Sequence, residues 1–365
     1  MRFSYTFSFY VVRSLVINLL YVFFAFSFIA FILDFLELMR DSQGKHLLIR
    51  QMLQIVFFKV PFITYSFIPF VFLFGSILTF TKLNNSFELA AANSAGISIW
   101  SLCIPISLTV FAISILILSV FQPISASFLN KNGLLVSKYL GHKTSRVSIQ
   151  SNGIWLYDQT NNPQNDKIIK IMHIAKDEKL FSGILVFSAG EDNSFTTSFR
   201  ASSSSIENGY LLLSDAEKFT PGKEPEKYNI ISLPTNLTND QIQESIPNPD
   251  IIQFWHLRSF IKNIKQSGLS ALKHELYYKS MLASPLLYLS LVFIALVSSI
   301  NLPRKGKLGI VFLVAGLIGI MVFFINKVIN VMALTETLPM FLAVISPSLS
   351  YLLISGVILI HKEEG

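Results

Sequence analysis

Long apolar stretches are the feature that most restricts what this chain can fold into. A membrane-crossing helix needs about 20 predominantly apolar residues, and six stretches approach or exceed that length. They cover approximately residues 11–33, 55–80, 99–121, 281–300, 308–332 and 338–360. Across the chain, 52% of the residues are apolar and 14% are charged, a composition foreign to soluble domains. The sequence therefore predicts an α-helical membrane protein with six transmembrane helices.

The first two stretches carry additional local signals. The first ends in Asp34, Glu37 and Arg40 without a small-residue cleavage pattern, and it is too long for the core of a signal peptide. We therefore expect an uncleaved first helix. Pro61 and Pro69 lie inside the second stretch, so this span should be kinked.

A polar segment separates the third and fourth apolar stretches. Short apolar or alternating pieces bounded by turn residues occur at 153–158, 168–174, 183–187, 195–201, 209–214 and 228–233. This spacing, without helical periods between the pieces, predicts an inserted antiparallel all-β domain, a sandwich or jelly roll. The expected order is helices one to three at 1–123, the jelly-roll-like domain at 124–250, a connector at 251–279 and helices four to six at 280–365.

The connector is expected to contain an amphipathic helix. Apolar residues repeat there at helical spacing, cations occupy the opposite side, and Gly268 ends the pattern. The apolar positions are Phe254, Leu257, Phe260, Ile261 and Ile264, and the cations are Arg258, Lys262 and Lys265. Such a helix is suited to lying on the membrane surface.

Positive charge between the spans predicts the orientation of the chain. Arg2, Lys82, Arg304, Lys305, Lys307 and Lys362 would share one side, which the positive-inside rule makes cytoplasmic. The β domain is then expected on the outer side. Four other cations, Arg40, Lys45, Arg50 and Lys59, lie in or beside the first outer loop. Either they bind an anionic group there, or charge orients this chain only weakly.

The segment 82–98, between the second and third spans, is expected to form a short surface helix at about 84–96. Asn85 or Ser86 can cap it, Glu88 suits the first turn, and Gly96 can end it. A carboxylate on a small-residue helix that stays in water can receive a push from a soluble partner. The alternative is a capped connecting helix whose Glu88 is merely solvated.

Motifs of chemical catalysis are not found in the sequence. It has no phosphate-binding glycine loop and no nucleophile elbow, and its six histidines lack the paired spacing of a zinc site. We therefore expect no catalytic residues, no metal and no cofactor.

Charges near the outer membrane surface are more informative. Arg40, together with Lys45 and Arg50, can attract the phosphates of a lipid, although Glu37 and Arg40 could instead form a structural ion pair. In the fifth span, Lys327 lies in a polar patch with its neighbours Asn326 and Asn330. Lys327 either contacts a substrate or extends to the headgroups.

The order of these segments resembles the lipopolysaccharide-export permease family LptF/LptG. Glu88-Leu89 followed by Ser94-Ala95-Gly96 resembles the coupling helix of that family. Residues 247–268, Lys279, Leu338-Pro339 and Ser346-Pro347-Ser348 extend the likeness. The helix within 247–268 is closer to the LptG branch than to the LptF branch. The chain departs from the family pattern at Asp34, where a basic residue can occur, and at Ala92, Asn93 and Met340.

This resemblance implies a non-catalytic permease subunit of an ABC transporter in the inner membrane of a Gram-negative bacterium. Such a subunit extracts lipopolysaccharide from the outer leaflet and passes it to a periplasmic bridge. The implied partners are an LptB-like ATPase dimer, an LptF-like permease and LptC-like and LptA-like periplasmic β proteins, with no nucleic acid. Glu88, Leu89 and Gly96 would meet the ATPase, and Arg40, Lys45, Arg50 and Lys327 would meet lipopolysaccharide.

Other functions are compatible with the same sequence. The chain could be a mechanotransmitting subunit whose spans carry no lipid, or a membrane-anchored adaptor with passive spans. It could also be a membrane enzyme that modifies a lipid.

Overall fold

The computed structural model describes residues 5–42, 47–96, 98–140, 147–150, 153–158, 167–174, 180–189, 195–207, 209–235, 246–301 and 308–364. Its contacts divide the chain into two compact units. One comprises Met1–Gly141 and Leu276–Gly365, and the other comprises His142–Glu275.

Helices account for most of the described chain. They are α1 Tyr5–Asp41, α2 Ile49–Ser66, α3 Ile68–Asn85, α4 Glu88–Ser94, α5 Ile99–Leu116, α6 Gln122–Leu140, α7 Phe254–Gln266, α8 Leu272–Asn301, α9 Leu308–Leu334 and α10 Met340–Glu364. Within the described residues, five helical segments are long and apolar enough to cross a membrane, and a sixth is obtained if α2 and α3 form one bent span. The predicted class, a helical membrane protein with an inserted β domain, is confirmed.

The second span is broken rather than gently kinked. Helices α2 and α3 meet at an angle of 65°, and Phe67 lies between them. Pro69 lies in the first turn of α3, where its ring and missing N–H would interrupt a helix continuing from α2. The expected kink is therefore located at the second of the two prolines.

The third span continues beyond its apolar stretch. A π-helical turn at Ile117–Phe121 joins α5 to α6, and α6 then runs through Pro123 to Leu140. Proline is tolerated in the first turn of a helix, and the wider π turn precedes it here. The expected boundary at residue 123 thus falls inside a helix.

The helices of the first unit share one apolar core. Leu15 of α1, Phe72 of α3, Val110 of α5 and Leu291 of α8 are at most 1% exposed and belong to the same cluster. The ring of Phe72 stacks on Tyr288 at a centroid distance of 4.7 Å. These contacts bind the first, second, third and fourth spans into one body.

The second unit contains a seven-stranded antiparallel sheet whose strand order follows the chain. The strands are β1 Val147–Gln150, β2 Gly153–Asp158, β3 Lys167–Ile174, β4 Leu180–Ala189, β5 Phe195–Glu207, β6 Tyr210–Phe219 and β7 Glu226–Pro234. Each strand pairs with its sequence neighbour, so the connections are those of a meander rather than of a jelly roll. Short links between successive strands favour this pairing.

One line across the sheet lacks regular pairing, and we call it the crease. It passes through Met172, Gly183, Ser202, Asp215 and Asn229, which the strand registers skip. Gly183 and Asp215 have positive φ angles of 65° and 52°. Irregularities of this kind bend strands.

The burial pattern shifts by one residue at the crease. The buried positions on either side of it are three residues apart instead of two. They are Phe181 and Ile184 in β4, Ala201 and Ser204 in β5, and Leu213 and Ala216 in β6. The extra residue in each strand keeps the inward side chains on one face of the sheet.

Opposite ends of the sheet meet in a polar contact, which we call the clasp. Asp158 and Lys167, at the ends of β2 and β3, are 2% and 3% exposed. Thr235, just after β7, donates a hydrogen bond of 2.6 Å from Oγ1 to Asp158 Oδ2. Lys167 Nζ donates to the carbonyl of Pro234. The single sheet is therefore folded over, with its apolar face inside.

Candidate functional site

Helix α4 is the predicted surface helix between the second and third spans. The chain leaves α3 at Asn85 and enters α4 at Glu88 through Phe87, whose φ angle is 60°. A left-handed backbone is uncommon for a non-glycine residue. Gly96, with a φ angle of 80°, follows the helix and allows the chain to reverse there.

Glu88 connects α4 to the first span. Tyr10 of α1 donates from Oη to Glu88 Oε1 at 3.3 Å, and Ser86 donates to the same oxygen at 2.8 Å. Ser86 was a candidate N-cap, but its hydroxyl bonds to the side chain of Glu88 and to the carbonyl of Lys82. The carboxylate is therefore oriented by two hydroxyl groups.

Leu89 connects α4 to the apolar core. It is partly buried and packs against the cluster shared by the first four spans. Phe87, Ala90, Ala91 and Gly96 remain exposed. Helix α4 thus has one face fixed to the transmembrane unit and another face open to a partner.

A charged pair joins α1 to α2. Lys59 Nζ forms a salt bridge and hydrogen bond with Asp34 Oδ1, and Asp34 is only 4% exposed. Thr64 Oγ1 donates to Ser27 Oγ at 3.2 Å between the same two helices. Asp34 occupies a position where the sequence resemblance suggested a cation, and Lys59 of α2 supplies the positive charge beside it.

The predicted phosphate-binding cations lie at the ends of these two helices. Arg40 is in the last turn of α1 and Arg50 is in the first turn of α2, and both are exposed. Lys45 lies outside the described residues. Arg40 Nε is 3.4 Å from Asp41 Oδ1, whereas the described part of the chain contains no ion pair between Arg40 and Glu37.

The polar patch in α9 is divided between two environments. Asn326 and Asn330 line a cavity of about 140 Å³ among α3, α8, α9 and α10, together with Ser280, Ser284 and Ser348. Lys327 is exposed, and its Nζ lies 5.9 Å from the ring centroid of Phe323. Lys327 is therefore not among the residues that line the cavity, although Phe323 beneath it is.

Two of the side-chain contacts described above could not be predicted from the sequence. Tyr10 and Glu88 are 78 positions apart, and Asp34 and Lys59 are 25 positions apart on two different helices. The only sequence signal was the presence of ionisable residues inside or beside apolar helices, which are costly there unless paired.

Comparison with known proteins identifies one family. Residues 9–361 match the family described as lipopolysaccharide export system permease LptF/LptG. The chain is 22% identical over 313 residues to the LptG permease protein of Escherichia coli strain K12, covering 84% of each sequence. The LptG protein of Escherichia coli O6:H1 gives the same identity and coverage. Both relatives agree with the sequence-based assignment to the LptG branch.

Proposed function

Because the chain belongs to the lipopolysaccharide export permease family LptF/LptG, we propose that it is the permease subunit that couples a partner ATPase to lipopolysaccharide extraction. In this function the chain performs no chemistry. It receives a mechanical displacement on its cytoplasmic side and moves a lipid from the outer leaflet of the inner membrane towards a periplasmic β bridge.

The observation that carries this proposal is the attachment of α4 to α1. Glu88 is hydrogen-bonded to Tyr10, and Leu89 packs against the shared core of the spans. A displacement of α4 by an LptB-like ATPase dimer would therefore be transmitted to α1. Exposed Phe87, Ala90 and Gly96 leave a surface on which the ATPase can dock.

The opposite end of α1 is suited to an anionic lipid. Arg40 and Arg50 are exposed at adjoining ends of two packed helices, and Lys45 lies between them in sequence. Guanidinium groups bind phosphate through strong charge-assisted hydrogen bonds. The Asp34–Lys59 pair holds α1 against α2 and would keep these cations together. Lys327 is a weaker candidate because it does not line the cavity among the spans.

The interior of the folded sheet matches acyl chains in polarity. Its inward side chains, including Ile169, Val186 and Leu213, are at most 1% exposed, so the interior is apolar. Strand β7 forms one edge of the sheet, and Ile230 within it is 67% exposed. An open edge can pair with another β protein. We assign LptC-like and LptA-like proteins, and an LptF-like permease, as the partners of this assembly.

Site-specific photocrosslinking in intact cells tests the proposal. A photoreactive amino acid at position 40 should crosslink to lipopolysaccharide only when the partner ATPase is active. The same group at Phe9, which is 71% exposed near the other end of α1, is the control and should give no lipopolysaccharide adduct. Glu88→Lys should abolish the adduct at position 40, because the carboxylate that orients α4 is lost.

The crosslinking pattern separates this function from its rivals. Crosslinks from position 40 to protein alone would refute lipid passage along the spans and favour a mechanotransmitting lever. An adduct that forms without ATPase activity, and that is unchanged by Glu88→Lys, would contradict the proposed coupling through α4.

A further inference from the structure

Helix α7 turns its apolar side towards its own domain. Leu257, Ile261 and Ile264 are 0%, 8% and 0% exposed, and the helix contacts β1. The carbonyl of Gln266, at the end of α7, lies 3.2 Å from His173 Nδ1 of β3. The side of α7 that an interfacial amphipathic helix would place in lipid is therefore occupied by protein.

The outward side of α7 combines an aromatic residue with cations. Trp255 is 62% exposed, and Arg258 and Lys262 are exposed as well. These three residues are at positions i, i+3 and i+7, so they share one helical face. Lys265, further along the helix, is paired with Glu275. Arg258 and Lys262 give this face, which we call the Trp255 face, its positive charge.

Contacts with residues 274 and 275, in the first turn of α8, fix α7 within its own unit. Lys265 forms a salt bridge with Glu275 in the first turn of α8. The ring of Phe260 lies 5.3 Å from that of His274, and His274 Nε2 lies 2.9 Å from the carbonyl of Pro247. Helix α7 is thus fixed to the first turn of a helix that continues without a break to Asn301.

The residues that follow Glu275 mark the level of the membrane surface. Tyr277 and Tyr278 come two and three positions later in α8, and tyrosine is enriched at the headgroup level of membrane helices. At about 1.5 Å per residue, these tyrosines lie roughly 5 Å along the helix from the salt bridge. The last turn of α7 is therefore paired, through Lys265 and Glu275, with the helical turn that precedes these tyrosines.

We propose that the Trp255 face binds the anionic phospholipid headgroups of the leaflet next to the β domain. The indole of Trp255 would lie at the boundary between headgroups and acyl chains, as interfacial tryptophans do. Arg258 and Lys262 would contact lipid phosphates, since each cation near an anionic surface favours the bound state by about fivefold. This contact anchors the base of the β domain to the bilayer, and it does not depend on what the permease transports.

Fluorescence of the full-length chain in lipid vesicles tests this assignment. The chain has three tryptophans, so Trp100→Phe with Trp155→Phe leaves Trp255 as the only emitter. Vesicles of phosphatidylcholine, with and without phosphatidylglycerol, would carry bromine atoms on the acyl carbons nearest the headgroup. We expect the bromine atoms to quench Trp255, and to do so more strongly when phosphatidylglycerol carries them.

Charge reversal on the same face provides the matched comparison. Arg258→Glu with Lys262→Glu should lower the phosphatidylglycerol-dependent quenching by at least about fivefold. The control is Lys223→Glu with Lys227→Glu. Lys223 lies just before β7 and Lys227 lies within it, and both are exposed. Reversing these two charges should leave the phosphatidylglycerol-dependent quenching unchanged. If the reversed chain does not fold, the comparison of the two lipids in the chain with native charges decides the question.

Three results would overturn the proposal. In the first, brominated lipid does not quench Trp255. In the second, the quenching is the same with and without phosphatidylglycerol and is unaffected by charge reversal. Alternatively, Trp255 could be shielded from lipid when a partner permease is present, which would assign this face to a protein contact.

Discussion

At the scale of single residues, the hydroxyl of Tyr10 is the direct polar link between α1 and Glu88. Removing it with Tyr10→Phe keeps the ring and deletes the 3.3 Å hydrogen bond. Because this hydrogen bond is exposed to solvent, we expect only a modest loss, roughly twofold, in lipid transported per ATP hydrolysed. The measurement is transport and ATPase activity of the reconstituted complex.

Tyr21→Phe is the control for that substitution. Tyr21 also belongs to α1 and is 69% exposed, so its hydroxyl should not affect coupling. Equal transport efficiency for Tyr10→Phe and the unmodified chain would show that α4 acts on the spans through Leu89 alone.

A second prediction at this scale concerns the charged pair of Asp34 and Lys59. Lys59→Met leaves the nearly buried carboxylate of Asp34 without its counter-ion, and breaking a buried pair costs about 3–5 kcal/mol. The loss of unfolding free energy should be at or below the lower end of this range, because the Lys59 side chain is 36% exposed and water can partly replace it. Combining Asp34→Asn with Lys59→Met should restore part of the stability. Thermal unfolding in lipid nanodiscs measures both variants, and equal midpoints for the single and double variants would contradict the pairing.

At the scale of elements, close packing between α1 and α3 depends on Gly75. A Cβ atom there would lie 2.8 Å from Leu19 Cδ2 and 3.0 Å from the backbone Cα of Leu19. Because backbone cannot rotate away, Gly75→Ala should destabilise the transmembrane unit by about 1–3 kcal/mol. Gly356→Ala in α10, where nothing lies within 4 Å, should be close to neutral. Unfolding midpoints of the two variants test the difference, and equal values would show that α1 and α3 are not locked together.

Element boundaries show what local sequence could and could not predict. Apolar length predicted the spans, and turn residues with apolar alternation predicted β2 to β7. The third span was expected to end at Pro123 because proline usually marks a helix boundary, yet a π turn at Ile117–Phe121 allows it to continue. The crease was not predictable, because a one-residue shift in alternation looks the same in sequence as the end of a strand.

Site prediction from sequence was limited for a different reason. Glu88 and Arg40 could be singled out because a charge beside an apolar helix needs an explanation. Their surroundings depend on residues far away in sequence, such as Tyr10 for Glu88. Lys327 and Asn326 are neighbours in sequence, but neighbouring positions on a helix point about 100° apart, and only Asn326 lines the cavity.

At the scale of the whole molecule, the clasp determines whether the β domain stays folded over. Thr235→Val keeps the side-chain shape but removes the 2.6 Å hydrogen bond to buried Asp158. An unsatisfied buried polar group costs about 1–3 kcal/mol. The free energy of unfolding of the β domain should fall by that amount. Hydrogen exchange of β2 and β7 in the full-length chain should report the opening, and unchanged protection of both strands would contradict a closing role for the clasp.

The clasp should also make the β domain sensitive to alkaline pH. Burial lowers the pKa of Lys167 below its ordinary value of 10.5, and the nearby Asp158 opposes that shift only partly. Between the lowered pKa and 10.5, the unfolded chain holds more protons than the folded chain, so stability rises with pH in that window. Lys167→Met should remove this rise, whereas Lys223→Met should retain it. Unfolding midpoints measured across alkaline pH provide the test, and a rise that persists in Lys167→Met would exclude Lys167 as its source.

The meander has a consequence for how the protein is made. Each strand pairs with the one synthesised just before it, so the sheet can grow hairpin by hairpin as the chain emerges, and contacts between sequence neighbours form quickly. The clasp needs nothing beyond Thr235, and α8 begins only at Leu272. The sheet can therefore close before the fourth span is synthesised, and α7 and the last three helices are added to a sheet that is already closed.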